Sequence, residues 1–266
     1  MTDVRLRPRT VSEIVDAAFA LYRQHASRYM VAAAIGSAPL LVTRLLLQPV
    51  TSRAVIDVSQ GASSYIALAM AGAGFAALVI NAVALICYSL VGGLVITLGS
   101  RAYLGEDPDV AAAFRTVIPR VPSLIAAAIM KAILTFIGAL VFLVGALYVV
   151  ARFFATDATI MLEGKNAGDA FTRSSELSKD RKWHILATML LVGIVYFMLA
   201  IGFGALLGLT GSTVLEVLAS TLIMVVAWPI VQLTVMVLYY DMRIRGEGFD
   251  LEHMTAALDD APTPVA

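Results

Sequence analysis

Charged residues and cysteine are both scarce in this 266-residue chain. Charged residues make up 14% of it and hydrophobic residues 60%, which excludes an ordinary soluble domain, where about a quarter of the residues are charged. The 19 basic and 19 acidic residues cancel, so no net positive charge attracts nucleic acid. The single cysteine, Cys87, lies in an apolar run and excludes an intramolecular disulfide or a cysteine-based metal site. This composition indicates a polytopic membrane protein.

Histidine is also rare, and its placement argues against catalysis. His25, His184 and His253 are the only three histidines, and none stands in a metal-ligand or nucleophile motif. We therefore predict no catalytic residues, no cofactor and no metal site, and we predict that the chain is not an enzyme. The N-terminus turns apolar only near Tyr29, in a run longer than the roughly 7–15 residues of a signal-peptide core. We expect no cleaved targeting peptide.

Long apolar runs predict the membrane-spanning helices. Residues 29–47 form the first predicted span, kinked at Pro39 and followed by a loop over residues 48–64. The other clear spans are residues 65–99, 183–209 and 214–240, the last with Pro229 inside it. The tail, residues 249–266, ends in Pro262-Thr263-Pro264 and is predicted to be disordered.

The placement of basic residues decides how residues 123–155 cross the membrane. Basic residues cluster before residue 29, in residues 101–120, in residues 152–182 and after residue 242, and such clusters mark the cytoplasmic side. Two cytoplasmic segments must be separated by an even number of crossings. Residues 123–155 are therefore predicted to form a tight helical hairpin or re-entrant pair that turns near Gly138 to Gly145. The count becomes six spans, with both termini cytoplasmic in a bacterial inner membrane.

Three charged segments precede these pairs of spans, and each carries an Ala-Phe pair. The pairs are Ala18-Phe19, Ala113-Phe114 and Ala170-Phe171, each followed by basic residues. Thr10 and Glu13 predict a capping box for the first segment, and Asp107 with Pro108 predicts the start of the second. The predicted fold is an all-α bundle of six spans and three cytoplasmic amphipathic helices, a threefold repeat with units 10–99, 107–157 and 166–240. The alternative is that basic amphipathic segments lie at the inner boundary of any polytopic protein.

Polar residues at the membrane boundaries carry a family resemblance. They are the pattern Ala170-Phe171-x-Arg173-Ser174-x-x-Leu177 with Trp183, the opening Leu6-Arg7-Pro8 with Glu13 to Phe19, and the ending from Leu238 to Gly248. Together they resemble the membrane-domain family associated with bacterial glycerophosphoryl diester phosphodiesterases. The resemblance implies a six-span inner-membrane protein. Phosphodiesterase chemistry belongs to a separate soluble barrel in that family, so the resemblance does not bring this activity to the chain.

Lys131 is the clearest charge inside a predicted span, and such a charge marks a functional site by default. It can instead snorkel to the headgroups or bond to Asn81, Thr135 or a carbonyl group. The functional interpretation is an anion or lipid-headgroup site, with Asn81, Gln232 and Thr234 lining a polar cavity. Such polar residues also commonly join helices.

A second group of candidate contacts for anionic lipid headgroups surrounds the third Ala-Phe pair. Its members are Arg173, Lys179, Arg181, Lys182 and Trp183, and basic residues near an anionic membrane each contribute about 1 kcal/mol. We predict a non-enzymatic membrane protein that organises or contacts the inner leaflet. The alternative is a small-solute or lipid transporter with a cavity around Lys131. A homo-oligomer or another membrane protein as partner stays open, because Gly204-x-x-x-Gly208 suits packing within the monomer or between copies.

Overall fold

The computed structural model describes residues 7–59, 66–141, 143–208 and 210–248, and these residues form helices and no strand. The helices of this part are α1 (Val11–Ser59), α2 (Ile66–Tyr103), α3 (Val110–Val117), α4 (Val121–Val141), α5 (Leu143–Arg152), α6 (Thr156–Leu162), α7 (Ala167–Leu177), α8 (Lys182–Gly208), α9 (Thr213–Val226) and α10 (Trp228–Glu247). The tail that we predicted to be disordered, residues 249–266, lies outside the described residues.

Six stretches within the described residues are long and apolar enough to cross a membrane. They are Val11–Thr51, Gly72–Tyr103, Val110–Leu140, Val144–Leu162, Lys182–Leu206 and Thr213–Glu247. Large apolar side chains on them face outward, and Phe75, Leu78 and Leu140 are each at least 70% exposed. An exposed apolar surface of this extent suits contact with lipid. The prediction of an all-helical, multi-pass membrane protein is confirmed, whereas the amphipathic surface helices and the threefold repeat stay predictions.

Helix α1 combines the predicted first short helix and the first span. The amide of Thr10 donates to Glu13 Oε2 over 2.8 Å and the amide of Glu13 donates to Thr10 Oγ1 over 3.4 Å, so the predicted capping box forms. The backbone leaves helical geometry at His25, with φ −130° and ψ 28°. No proline or glycine lies between residues 9 and 35 to signal this break.

One detail next to the first span was predicted wrongly, and the kink at Pro39 stays a prediction. Pro39 lies inside α1, where Thr43 Oγ1 donates to the carbonyl of Pro39 over 2.8 Å. The loop predicted over residues 48–64 is helical as far as Ser59, and residues 60–65 lie outside the described part. Polar residues alone do not end a helix, and the chain offers no glycine to do so between residues 37 and 60.

The second short helix begins two residues later than predicted. Asp109, not Asp107, is the N-cap of α3, and its carboxylate accepts from the amide of Ala111. Asp107 instead pairs with the guanidinium of Arg28 beside the break in α1. A 3-10 turn, Ile118–Arg120, then leads directly into α4.

Residues 123–155 form the predicted hairpin. Helix α4 ends at Val141 and α5 begins at Leu143, and the two pack against each other. Gly138 and Gly145 let their backbones touch, since a Cβ on Gly145 would lie 2.4 Å from the carbonyl oxygen of Gly138. After α5 the chain turns over residues 153–155 into α6, a short buried helix that the sequence did not predict.

Helix α10 is the centre of the bundle and packs against α1, α2, α8 and α9. Its residues 232–242 are all buried. The predicted last span, residues 214–240, is divided into α9 and α10 at Ala227, because Pro229 sits in the first turn of α10 where no helical amide is needed. Polar side chains that bond to α10 therefore lie in the interior of the bundle.

We expect Gly145→Ala to destabilise the hairpin, because the added Cβ would meet the backbone of Gly138; overpacking of this kind costs about 1–3 kcal/mol. Thermal unfolding in detergent, followed by circular dichroism, measures the loss. Gly202→Ala is the matched control, because a Cβ there meets no atom within 4 Å. Equal losses from both substitutions would contradict the close contact of α4 with α5.

Candidate functional site

The basic residues between α7 and the first turn of α8 differ in their exposure to solvent. Trp183 is 83% exposed and Lys179 is exposed too, whereas Arg181 and Lys182 are half-buried. The ammonium of Lys182 lies 5.2 Å from the centre of the Tyr148 ring, within the range of a cation–π contact. Among the described residues, none of Lys179, Arg181 and Lys182 forms an ion pair with a carboxylate.

Arg173, which we predicted as a headgroup contact, is engaged elsewhere. Its Nε lies 3.0 Å from both carboxylate oxygens of Glu163, and its NH1 lies 2.5 Å from Oε1 of Glu247. The hydrogen bond to Glu247 and the pairing with Glu163 raise the pKa of Arg173 above its ordinary value, so the side chain stays cationic. Only 18% of this side chain is exposed. The structure therefore places Arg173 in an internal ion-pair network rather than at a headgroup.

That network ties α7 to α10. Tyr239 donates its hydroxyl to Glu163 Oε1 over 2.9 Å, and Arg243 Nε pairs with Glu247 Oε2 at 3.0 Å. Charged partners in partly buried surroundings make stronger hydrogen bonds than neutral ones. The orientation of α7 on the bundle is thus fixed by polar contacts as well as by its buried apolar face.

A second set of contacts ties the N-terminus to α10 through Asp241, which is 1% exposed. Its carboxylate accepts from the backbone amide of Arg9 at 2.6 Å and from Arg245 Nε at 2.8 Å, and His184 Nε2 lies 3.5 Å away. Arg245 also donates to the carbonyl oxygen of Arg9 over 2.6 Å. We call the two sets together the polar clamp, whose members are Arg9, Glu163, Arg173, His184, Tyr239, Asp241, Arg243, Arg245 and Glu247.

Ser174 stabilises the turn between α5 and α6. Its hydroxyl donates to the carbonyl of Arg152 over 3.2 Å and accepts from the amide of Ala155 over 3.0 Å. Arg152 Nε in turn donates to Ser175 Oγ at 2.9 Å. Helix α7 thus supplies hydrogen-bond partners for backbone groups that have no helical partner at the turn between α5 and α6.

A cavity of about 290 Å³ lies among α2, α4, α5, α8 and α10. Its lining is mostly apolar, with Lys131, Asp157 and Gln232 among its polar members. The ammonium of Lys131 lies 2.7 Å from both oxygens of Asp157, and about a quarter of each side chain is exposed. We call this the inner cavity. It has the size and the largely apolar lining of small-molecule sites, though it lies at their lower limit of about 300 Å³.

The structure gives Lys131 a partner that the sequence analysis missed. We named Asn81, Thr135 and a carbonyl group as partners, but the ammonium binds Asp157 at the start of α6. Thr135 lines the same cavity without this bond. Asp157 lies 26 residues from Lys131 in sequence, and only the turn after α5 brings the two together.

Of the three residues predicted to line a cavity with Lys131, only Gln232 does so. Asn81 is exposed and donates to the carbonyl of Ala77 in its own helix. Thr234 is fully buried and donates to the carbonyl of Ile230. The amide of Gln232 packs against Gly92, and its buried Oε1 has no protein partner among the described residues. In this part of the chain no three histidine, cysteine or acidic side chains meet in a metal-binding cluster.

One family model matches the chain. Residues 118–244 match the model described as the membrane domain of glycerophosphoryl diester phosphodiesterase. Over those residues the chain is similar to this membrane-domain family. The predicted resemblance is thereby confirmed, although its opening motif before residue 20 lies outside the match. Searches of curated proteins and of solved structures found no match.

The motifs of the membrane domain coincide with the polar clamp and with the turn after α5. Arg173 and Ser174 belong to the first motif, and Tyr239, Asp241 and Arg243 belong to the ending. None of these five residues lines the inner cavity. Arg243 pairs with Glu247 in its own helix, and the other four contact another segment of the chain. The residues that carry the resemblance therefore assemble the domain, and the resemblance does not point to a ligand.

Proposed function

We propose that this chain is a non-enzymatic bacterial inner-membrane protein whose three charged segments contact and organise the inner leaflet. The histidines support a non-enzymatic role. His184 lies in the polar clamp and His25 in the break of α1, so neither lines the inner cavity. Arg9 and Arg245 touch each other, so the two described ends lie on one side, in accord with an even number of crossings. The excess of basic residues there favours the cytoplasm.

The three Ala-Phe pairs support a repeated unit. Ala18, Ala113 and Ala170 are each 0% exposed. The partner phenylalanine is buried or half-buried in each segment. A small residue at a fully buried point lets a short helix approach the bundle closely. We propose that each segment docks on the bundle in this way and turns its basic residues toward the headgroups.

The observation that carries the proposal is the edge formed by Lys179, Arg181, Lys182 and Trp183, in which Lys179 and Trp183 are exposed and Arg181 and Lys182 are half-buried. Its three cations have no carboxylate partner among the described residues, while neighbouring Arg173 is fully engaged in the polar clamp. Trp183 extends from the first turn of α8 with most of its surface free. Tryptophan is enriched at membrane interfaces because its ring is amphipathic. Together these residues suit an anionic headgroup layer.

Trp183 allows a direct test, because Trp228 is the only other tryptophan. In a Trp228→Phe variant reconstituted into vesicles, we expect fluorescence to be quenched more strongly by lipids brominated near the headgroup than by lipids brominated near the chain ends. We also expect Lys179→Gln/Arg181→Gln/Lys182→Gln to weaken retention of anionic lipid by about a hundredfold, since three basic residues at about 1 kcal/mol each contribute about 3 kcal/mol.

The matched control is Trp183→Phe, which leaves Trp228 inside the bundle, where we expect weaker quenching at either depth. If Trp183 were quenched equally at both depths, or if the triple variant retained anionic lipid as the wild type does, the headgroup contact would be refuted.

The inner cavity favours a second candidate function, a transporter of a small solute or a lipid. The specific observation is the ion pair of Lys131 with Asp157, which lies at the wall of a largely apolar cavity and leaves both side chains partly accessible. Charges in membrane segments commonly mark the path of a substrate. An amphipathic molecule would place its polar group against this pair and its apolar part between α4, α5 and α8.

Cysteine labelling tests whether the inner cavity opens to water, as transport requires. Ser89 lines the cavity, whereas Cys87, the only cysteine, is 2% exposed. In sealed vesicles we expect a charged thiol reagent to modify Ser89→Cys in a Cys87→Ala background from one side of the membrane. The wild-type Cys87 is the matched control and should stay unmodified. If Ser89→Cys were as unreactive as Cys87 from both sides, transport through this cavity would be excluded.

A further inference from the structure

A second cavity, of about 200 Å³, lies among α1, α2, α8 and α9. Its lining includes two side chains of opposite charge, Arg44 and Glu216, together with Ser220, Tyr88 and Tyr196. We call it the outer cavity, because α9 begins beside it at the end of the bundle away from the polar clamp. None of the candidate residues that the sequence analysis named for a site, Lys131 included, lines it.

Arg44 lies inside an apolar stretch of α1. Leu45 and Leu46 follow it and face outward, with Leu46 69% exposed. The guanidinium points instead into the bundle, where its NH1 donates to Ser220 Oγ over 2.8 Å. No carboxylate of the described residues lies within ion-pair distance of it. A charge in this setting is costly unless it is paired, and it marks a functional site by default.

Glu216 brings a negative charge to the same cavity. It lies in the first turn of α9, where the helix dipole favours a carboxylate. The dipole accounts for an acidic residue at this position, but it does not account for the carboxylate lining a cavity that also contains Arg44. Among the described residues Glu216 forms no ion pair. Two opposite charges therefore share one cavity without neutralising each other.

We propose that the outer cavity binds a zwitterionic group, with its oxyanion on Arg44 and its ammonium on Glu216. Guanidinium groups bind carboxylate and phosphate oxygens through paired N–H donors. Tyr88 and Tyr196 also line this cavity, and their rings suit an ammonium because aromatic rings attract cations. The group can belong to a free solute or to the headgroup of a zwitterionic phospholipid, and both present the same pair of charges.

The outer cavity is separated from the inner cavity by aromatic rings. Tyr88 lines both cavities. The rings of Tyr88 and Tyr196 pack edge-on against Trp228, with centroids 5.1 and 5.7 Å from it. The zwitterion site thus has its own charges and shares only Tyr88 with the lining of the inner cavity. It depends neither on the headgroup contact at Trp183 nor on transport through the inner cavity.

Binding measurements on the purified full chain test the proposal with two kinds of probe. Phosphoethanolamine in detergent solution represents a free zwitterion, with inorganic phosphate and ethanolamine as its halves. Phosphatidylethanolamine in nanodiscs represents the lipid headgroup, with phosphatidylglycerol as the anionic lipid that lacks an ammonium. Titration calorimetry measures the soluble probes and native mass spectrometry the retained lipid. We expect at least one zwitterion to bind in preference to its single-charge counterparts.

Four variants locate the site. We expect Arg44→Gln and Glu216→Gln each to weaken binding of the zwitterion by about tenfold or more, a loss of about 1.4 kcal/mol. Gly204→Leu should block binding without changing a charge, because a Cβ on Gly204 points into open space at the cavity wall. Lys131→Gln, in the inner cavity, should leave binding unchanged. If Arg44→Gln fails to fold, Arg44→Lys replaces it. Arg44→Lys should bind the zwitterion more weakly than the wild type does, because an ammonium lacks the paired N–H donors of a guanidinium.

Gly202→Leu is the steric control for Gly204→Leu, since Gly202 does not line the cavity. Binding of the soluble probe alone assigns the site to a free solute, and retention of phosphatidylethanolamine alone assigns it to a lipid. The proposal is overturned if neither zwitterion binds, if phosphate or phosphatidylglycerol binds equally well, or if Glu216→Gln binds as the wild type does.

Discussion

The need to pair charges inside an apolar bundle shapes this protein more than any other constraint. Asp241 shows it most clearly, because its carboxylate is almost fully buried near the C-terminal end of the central helix α10. An unpaired charge there would cost several kcal/mol. The backbone of Arg9 and the side chain of Arg245 supply the partners. The segment at Arg9 is therefore held against α10 by the same contacts that offset the cost of burying the charge of Asp241.

The same constraint separates the residues that build the domain from those free to bind a ligand. Arg173 is held by two carboxylates and so belongs to the architecture, whereas Lys179 is exposed, Arg181 is half-buried, and neither has a carboxylate partner among the described residues. In the interior, Lys131 is matched by Asp157. Arg44 has a hydroxyl partner but no carboxylate partner among the described residues, and for this reason it is the basic residue in a span to which we assign a ligand.

The sequence analysis succeeded where a pattern was local or where charge limited the topology. Helix α2 and the α4–α5 hairpin follow from apolar length, glycine positions and the need for an even number of crossings.

The sequence analysis failed where tertiary contacts determine the local structure. Nothing in the residues near His25 signals a break, and residues 48–59 stay helical although they are polar. The pairing of Lys131 with Asp157 was missed, because the two residues are 26 apart in sequence and meet only after the chain turns. Conversely, Asn81 and Thr234 satisfy their polar groups within their own helices.

The central claim is that the polar clamp holds the N-terminal segment on the bundle. Amide hydrogen exchange of the wild type and of Asp241→Asn tests it most directly, because the substitution keeps the shape of the side chain and removes its charge. We expect protection of residues 11–24 to fall by about tenfold or more, as local opening becomes easier, while protection in α4 and α5 stays unchanged. Equal protection of residues 11–24 in the two proteins would contradict this account.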